Sequence, residues 1–576
     1  MSFKFFSKDT VRVPQTNRRF RVYQVVLAFG MIGFLLPFIL ALIIGFPIPQ
    51  VQDELSYTVA ADTYAHFRIT NPTPANFESF ETPHVLMEPS YISKYPPMQG
   101  VFMAVGQVVF GHQAFGIWLS CGLFAGALFW MLFAWTRPTW ALIGTVQMII
   151  LLGVNSYWSQ SYWGGMIAAA GGALFLGGFR RLFNQLDAGS TVWMTLGGVV
   201  LINSRPFEGT LLMVIPTLFL IVWLIRDRGT SWGTKLKDVV LPGLLLGAVA
   251  LGAMSYQFYR VTGNPFKMPY SVHHAQYYPT PLFIFQPINH EATRGNARIR
   301  RMYDNYTSPP FLDNVLKQGW LPNTIYLSPV YGFIYLLFAL PLFLFSPLLA
   351  IVLYVSLPMV LRRSRWTMLI GASVLFTFVC MSFAVWWDQY HYMAPVTSCI
   401  VLLFVEGCRQ FYGSGRKARD RKIVTACFAV LTIGSIVFLQ LTYHASTNRS
   451  SSYSIDRDLI RRSLTEDASI QILIPKRAAY FKYELDQMAE QLPDKYIAIV
   501  SYDKNFDFHD EVMFNKADLE NAKLIWAHDL GEEKNDSLLR HYKDRKVLMI
   551  HIGDSGIAIT PTIRNADQIV FDRRLR

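Results

Sequence analysis

Asp53-Glu54 stands just past the first long apolar stretch of this 576-residue chain, and Ser93-Lys94-Tyr95-Pro96-Pro97 follows before the second. Paired carboxylates at a membrane surface, followed by a lysine in a proline turn, fit chemistry on a sugar carried by a lipid phosphate. A carboxylate takes the proton of an acceptor hydroxyl, and a cation holds the departing phosphate. Side chains of adjacent residues diverge, so one acid can serve as base while the other holds a cation or an arginine. A purely structural reading also stands: Asp53 as a helix N-cap and Glu54 as a first-turn acid. Lys94 likewise reads either as a point charge for phosphate or as a lysine snorkelling at a helix start.

A second cation, Arg205 in Asn203-Ser204-Arg205-Pro206-Phe207-Glu208, lies between two apolar stretches and needs an anion, either Glu208 or a lipid phosphate. Asp53 and Glu54 are therefore the catalytic candidates, and Lys94 and Arg205 the lipid-phosphate contacts. Tyr57, Tyr95, Trp163, Glu208, His273, His274, Trp387, Asp388 and His391 are grouped as sugar or acceptor contacts. The tryptophans and tyrosines also match an interfacial aromatic belt. Asp53 and Glu54 neither require nor exclude a divalent metal, and no cofactor beyond a lipid-linked sugar donor is implied.

The elements that must position these residues are membrane helices. The chain is 52% hydrophobic and 16% charged, and apolar runs long enough to cross a bilayer recur. Spans are expected near 22–47, 113–135, 138–154, 164–180, 191–203, 208–225, 239–257, 328–358, 366–385, 393–411 and 423–443, about eleven transmembrane helices. Met98–Phe110 is too short to cross and reads as a helix at the interface. Basic residues before the first span place the N-terminus in the cytoplasm, and Arg137, Arg180-Arg181, Arg362-Arg363 and Arg416-Lys417 then fall on the same side. The net charge of +13 is thereby a topology signal, and no nucleic-acid partner is expected. The five cysteines lie in or beside apolar spans and form neither a disulfide framework nor a metal-type spacing.

All the unusual polar residues fall on the outer side, in a catalytic loop at 48–112, a long loop at 258–327 and shorter turns. Residues 1–445 thus form a membrane domain. Residues 446–576 change character: short β-rich runs at 470–474, 496–501, 523–527 and 546–552 alternate with helical stretches at 478–491 and 536–542. That pattern predicts a small soluble α/β domain outside the membrane. The P-loop, CxxC and HExxH patterns do not occur.

The order Asp53-Glu54, amphipathic helix, Lys94-Tyr95-Pro96-Pro97, second span resembles the integral-membrane GT-C glycosyltransferases, in particular the protein O-mannosyltransferase and lipid A aminoarabinose transferase-like group. The likeness covers the layout of the first 230 residues or so. With Asn203–Gly209, His391–Pro395 and the trailing α/β domain, the whole chain also looks like an uncharacterised bacterial subgroup of that kind. The resemblance implies that Asp53 activates or orients the acceptor and that Lys94 contacts the lipid phosphate. Tyr95 stands here between the lysine and the prolines, a departure from the family's Lys-Pro-Pro element. The resemblance further implies a multi-pass protein of the bacterial inner membrane with its C-terminal domain in the periplasm. The expected reaction is inverting transfer of a sugar from a polyprenyl-phosphate donor to a hydroxyl on a glycan, lipid or protein. A lipid-linked-sugar flippase and a non-catalytic cell-envelope assembly protein are the alternatives.

Overall fold

The computed structural model describes residues 17–447 and 470–565, except 155, 288, 290, 293–294, 306–327, 386–388, 416, 473–477, 504–510 and 554–555. Trp387 and Asp388 lie outside the described residues. Helices occur at every one of the expected spans: α1 (Asn17–Ile44), α4 (Ala114–Trp135), α5 (Pro138–Gly153), α7 (Gly165–Leu182), α8 (Ala188–Ile202), α9 (Pro206–Arg226), α11 (Leu241–Thr262), α14 (Ser328–Arg363), α15 (Arg365–Met381), α16 (Thr397–Ser414) and α17 (Ala418–Thr447). Between them lie α2 (Gln52–Ala65), α3 (Pro97–Phe110), α6 (Tyr157–Gln160), α10 (Trp232–Lys235), α12 (Pro269–Tyr277) and α13 (Ala297–Asn305). Seven helical segments of the described residues are long and apolar enough to cross a membrane, and α5, α8 and α15 are shorter apolar helices. The chain is a multi-pass helical membrane protein with a small α/β domain at its C-terminal end.

The expected single span at 328–358 is instead a broken helix. Its 36 residues would reach about 54 Å if straight, well beyond a bilayer core. Helical geometry fails at Ser346 (φ 65°, ψ 166°), and Pro347, which lacks an amide donor, follows it. The two halves lean back on each other, and the Tyr354 hydroxyl donates to the carbonyls of Leu337 (2.9 Å) and Phe338 (3.2 Å).

Helices α4 and α7 form the centre of the bundle, buried along most of their length. Small residues let backbones approach where no hydrophobic effect drives helices together. A Cβ at Gly197 of α8 would sit 2.3 Å from the Phe175 nitrogen of α7. One at Gly172 would sit 2.2 Å from the Pro395 carbonyl oxygen, so this glycine admits the short 3₁₀ helix Tyr390–Val396 against α7.

At one end of the bundle the first loop folds as α2, a two-residue hairpin of β1 (Val85–Leu86) and β2 (Ile92–Ser93), and α3. The C-terminal domain covers it. Its sheet contains β3 (Ile470–Ile472), β4 (Tyr496–Tyr502), β5 (Leu524–His528), β6 (Lys546–Gly553) and β7 (Gly556–Asn565) in the order β3-β7-β6-β4-β5. Strands β4, β5 and β6 are parallel, and β7 pairs antiparallel with β6 and β3. Helices α18 (Ala478–Glu490) and α19 (Glu532–His541) complete the domain. Strand β7 is absent from the sequence reading because Pro561 and polar residues interrupt its apolar run.

One face of this sheet and the loop share a hydrophobic core: Leu55, Val59, Phe80, Val85 and Met87 pack with Ile497, Ile499, Ile525, Ala527 and Val547. Polar ties surround it. The Ala517 amide donates to Asp62 Oδ2 (2.8 Å), the Tyr91 hydroxyl donates to the Asn515 carbonyl (3.1 Å), and His528 Nε2 reaches the Glu81 carbonyl (2.9 Å).

Candidate active site

Helix α2 starts at Gln52, so Asp53 and Glu54 fall in its first turn, where the helix dipole favours carboxylates. They then part, as neighbouring helical side chains must. Glu54 is 3% exposed. Its Oε2 accepts the amides of Gln50 (2.8 Å) and Val51 (3.2 Å), and its Oε1 accepts the Tyr162 amide (2.9 Å). Burial raises the carboxyl above its usual range, against the pull of those three amides. The role the structure gives Glu54 is thus to pin the Tyr157–Trp163 turn onto the start of α2, not to face an open chamber. Replacing Glu54 with glutamine puts an NH₂ group against an amide donor, and we expect a loss of about 1–3 kcal/mol of stability. Thermal unfolding reads this directly, and an unchanged melting temperature would contradict the clamp.

Asp53 keeps 25% of its side chain exposed. Its Oδ1 accepts the Tyr95 hydroxyl, and its Oδ2 lies 3.9 Å from His84 Nε2. His84 Nδ1 is 2.9 Å from the Tyr278 hydroxyl, which in turn accepts from Lys94 Nζ at 3.1 Å. Two hydrogen bonds and one ion-pair contact, the longer His84–Asp53 step, therefore line up between the Lys94 ammonium and the Asp53 carboxylate. His84 is held by its own backbone: its carbonyl accepts the Ser56 hydroxyl (2.7 Å) and the Lys94 amide (3.0 Å). Its φ of 65° is a strained value for a residue other than glycine.

Lys94 is 3% exposed, and its ammonium sits among three tyrosine rings, 5.1 Å from the centroid of Tyr95, 4.8 Å from Tyr270 and 4.6 Å from Tyr278. Such cation–π contacts gain strength when desolvated. Burial lowers the Lys94 pKa to about 7, although the Asp53 charge pulls it back up. Tyr57 stacks on Tyr95 with centroids 4.7 Å apart, and burial pushes its hydroxyl up to about 12.

Arg205 caps α9 from the adjoining turn, and its guanidinium lies 5.0 Å from the Tyr392 ring. Tyr57, Glu208, Tyr392 and Tyr95 are within its electrostatic reach. Among the described residues it forms no ion pair with Glu208 or any other carboxylate. Trp163 packs on His391 at 4.6 Å, and His391 Nδ1 is 3.0 Å from the Tyr157 hydroxyl. The tertiary structure thus gathers Asp53, Tyr57, Lys94, Tyr95, Trp163, Arg205, Glu208 and His391 at one end of the bundle.

The two neighbouring histidines have different surroundings. His274 stacks between Tyr270 and Tyr278, and burial with the nearby Lys94 charge lowers it to about 4. His273 is wholly buried against Tyr277 and Tyr303, with neither ring nitrogen hydrogen-bonded among the described residues, and burial drives its pKa down. Its ring also lies 5.8 Å from that of Tyr278, so His273 packs behind the tyrosine that Lys94 contacts. His84, Tyr270 and Tyr278 are the members of the site that the sequence analysis missed. Apart from the tyrosine-rich character of the 258–327 loop, no spacing marks them.

Next to these groups a narrow cleft runs between Lys94-Tyr95, Asn203, Met254, Phe258 and Met268. It is bounded by the start of α3 at Pro97, the end of α8, the start of α9 and α11, and both α3 and α11 carry exposed apolar side chains, among them Val101, Val105, Val249 and Leu251. Among the described residues no three His, Cys, Asp or Glu side chains gather to hold a metal. With Glu54 turned to backbone amides, the Asp53-Glu54 pair does not fit a shared metal.

No protein-family model matches this chain. No curated protein matches it either. Among solved structures, it is similar to ArnT from Cupriavidus metallidurans in the apo state, at 13% identity over 96% of this chain and 99% of that one (TM-score 0.47). The same protein bound to undecaprenyl phosphate gives 13% identity, the same coverage and a TM-score of 0.49. The apo oligosaccharyltransferase from Archaeoglobus fulgidus gives 11% identity over 93% of this chain and 70% of that one (TM-score 0.47). Likenesses at these scores carry no argument about the chemistry of this chain, which rests on its own residues.

Proposed function

We propose that this protein transfers a sugar, with inversion, from a polyprenyl-phosphate donor to a hydroxyl acceptor at the membrane face that carries the C-terminal domain. The observation that carries the reading is that a partly exposed carboxylate, Asp53, and a cation lacking a carboxylate partner among the described residues, Arg205, both act on the Tyr57 hydroxyl, near a cleft bounded by helices with exposed apolar side chains.

In this reading Asp53 takes the acceptor hydroxyl proton as the oxygen attacks the anomeric carbon. The bond from that carbon to the phosphate oxygen breaks, and its electron pair leaves with the polyprenyl phosphate. The leaving group is a stabilised anion, so one base and a set of cations suffice, unlike glycoside hydrolysis with its two carboxylates. Arg205 offers a planar fork of donors to the phosphate, and Lys94 adds positive charge from behind the Tyr95 ring. Trp163 and His391 supply a flat wall for a sugar or acceptor ring. Glu54 and His84 position the base and do not react.

The test is transfer of radiolabelled sugar by the purified protein from polyprenyl-phosphate and nucleotide-sugar donors. Transfer from the lipid donor alone supports the reading. Lipid movement across vesicles without transfer would favour the flippase. The same assay carries a pH prediction. Lys94 is charged below its pKa of about 7 and loses that charge as pH rises. kcat/KM should therefore fall above about pH 7, while kcat should fall at higher pH because a bound phosphate stabilises the ammonium. Lys94→Met should remove that alkaline limb. A wild-type profile flat from about pH 6 to 9 would exclude a catalytic role for the Lys94 charge.

A further inference from the structure

At the opposite end of the bundle, α7 ends in Arg180 and Arg181, about 22 Å along the helix from Gly165 at the chamber end. The two arginines have different fates. Arg181 is consumed structurally, donating to the carbonyls of Gly177 (2.9 Å) and Trp130 (2.8 Å) while lying over the Trp130 ring. Arg180 instead spreads over the Trp366 ring at 4.2 Å, with Trp135 at 5.7 Å, donates only a long bond to the Asn184 amide oxygen (3.4 Å), and lines a cavity of about 410 Å³ including its mouth.

Arg363, the last residue of α14, lines the same cavity, is solvent-exposed and has no ion pair among the described residues. The cavity also receives the N-terminus of α15, where the Ser364 hydroxyl accepts the Thr367 amide at 3.2 Å and the helix dipole adds positive potential. On the remaining wall Arg409 is bound to Glu406 Oε2 (2.9 Å). Glu406 is 4% exposed, and its other oxygen, Oε1, is buried with no hydrogen-bond donor among the described residues. Among the described residues the site therefore holds two guanidinium groups without a carboxylate partner, Arg180 having the Asn184 amide oxygen instead, beside one carboxylate oxygen without a donor.

We infer that this cavity binds the head group of an anionic phosphoglyceride that carries a free hydroxyl. The phosphodiester meets Arg180 and Arg363, and the head-group hydroxyl donates to Glu406 Oε1. Basic pockets between membrane helices are suited to such head groups, and guanidinium forks suit the phosphate oxygens. A lipid source is favoured over a soluble phosphate because Met359 and Met368, one helical turn from Arg363 and Ser364 along α14 and α15, are exposed apolar side chains. The inference is independent of the proposed transferase chemistry, since no residue of the chamber takes part.

The experiment measures lipid retained by the full-length protein after delipidation and exchange into mixed micelles of phosphatidylglycerol and phosphatidylcholine, read by mass spectrometry. We expect phosphatidylglycerol to be held in preference to phosphatidylcholine by about tenfold or more, as one or two charge-assisted hydrogen bonds provide. Phosphatidylmethanol, a phosphodiester without the head-group hydroxyl, should be retained less well than phosphatidylglycerol. Arg363→Gln should weaken retention about tenfold. This variant alters an exposed side chain, so the fold is spared, and Arg180→Gln added to it should lower phosphatidylglycerol retention further. The site is refuted if both lipids are held equally or if the double variant retains phosphatidylglycerol like wild type. Equal retention of phosphatidylmethanol would overturn the hydroxyl contact, and complete displacement by equimolar glycerol 3-phosphate would overturn the lipid assignment.

Discussion

Asp53→Asn is expected to lower sugar transfer about 10²–10⁴-fold, the usual contribution of a positioned general base, while leaving the fold intact. Asparagine has the same shape, and its Oδ1 can still accept the Tyr95 hydroxyl, so the wall of three tyrosines around Lys94 keeps its geometry. It cannot take a proton at neutral pH. Glu54 is a poor replacement, because both its oxygens are occupied by backbone amides and the carboxylate is buried away from the chamber. The measurement is initial rate from a polyprenyl-phosphate donor, with the melting temperature of each variant alongside. Wild-type rates in a correctly folded Asp53→Asn or Asp53→Ala protein would remove Asp53 from the mechanism and reopen the assembly-protein reading.

Ending the chain before β3 should abolish transfer altogether, for a structural reason. Leu55, Val59, Phe80, Val85 and Met87 of the first loop are buried partly against the C-terminal sheet. Full burial of such a side chain contributes about 1.5–3 kcal/mol, so uncovering several of them approaches the whole stability of a small domain. The Asp62–Ala517 and Tyr91–Asn515 bonds would be lost as well. We expect the 48–112 loop of the truncated protein to become a site of rapid proteolysis under conditions where the full-length loop is protected. Transfer surviving truncation would mean that the loop holds its shape alone. Loss of activity on truncation therefore does not by itself make the C-terminal domain the active unit, and Asp53→Asn is the variant that separates the enzyme from the assembly protein.

Several features were legible from local sequence. Apolar runs mark helices because a bilayer-length segment must satisfy its own backbone hydrogen bonds, and helices do stand at each expected position. The 98–110 stretch reads as a short helix, one residue inside the observed start of α3, and the alternation after residue 470 reads as an α/β domain, with β7 missed and the start of α19 set four residues late. Asp53 in the first turn of α2 follows from its place after the first span. The break at Ser346 was not legible, because apolar residues continue on both sides and only the backbone conformation interrupts them.

By itself, then, the sequence determined the class of protein and the carboxylate-lysine pair in the loop after its first span, since each depends on hydropathy, local propensity or short spacing. The tertiary structure alone decided the division of labour. It turned Glu54 onto the Tyr162 amide, buried His273, brought His84 and Tyr278 between Asp53 and Lys94, and seated the C-terminal sheet on the loop. Those outcomes depend on partners more than a hundred residues away along the chain, or on which face of a helix is buried. Pairings over such separations are set by packing and by the need of each buried polar group for a partner, which no local pattern encodes.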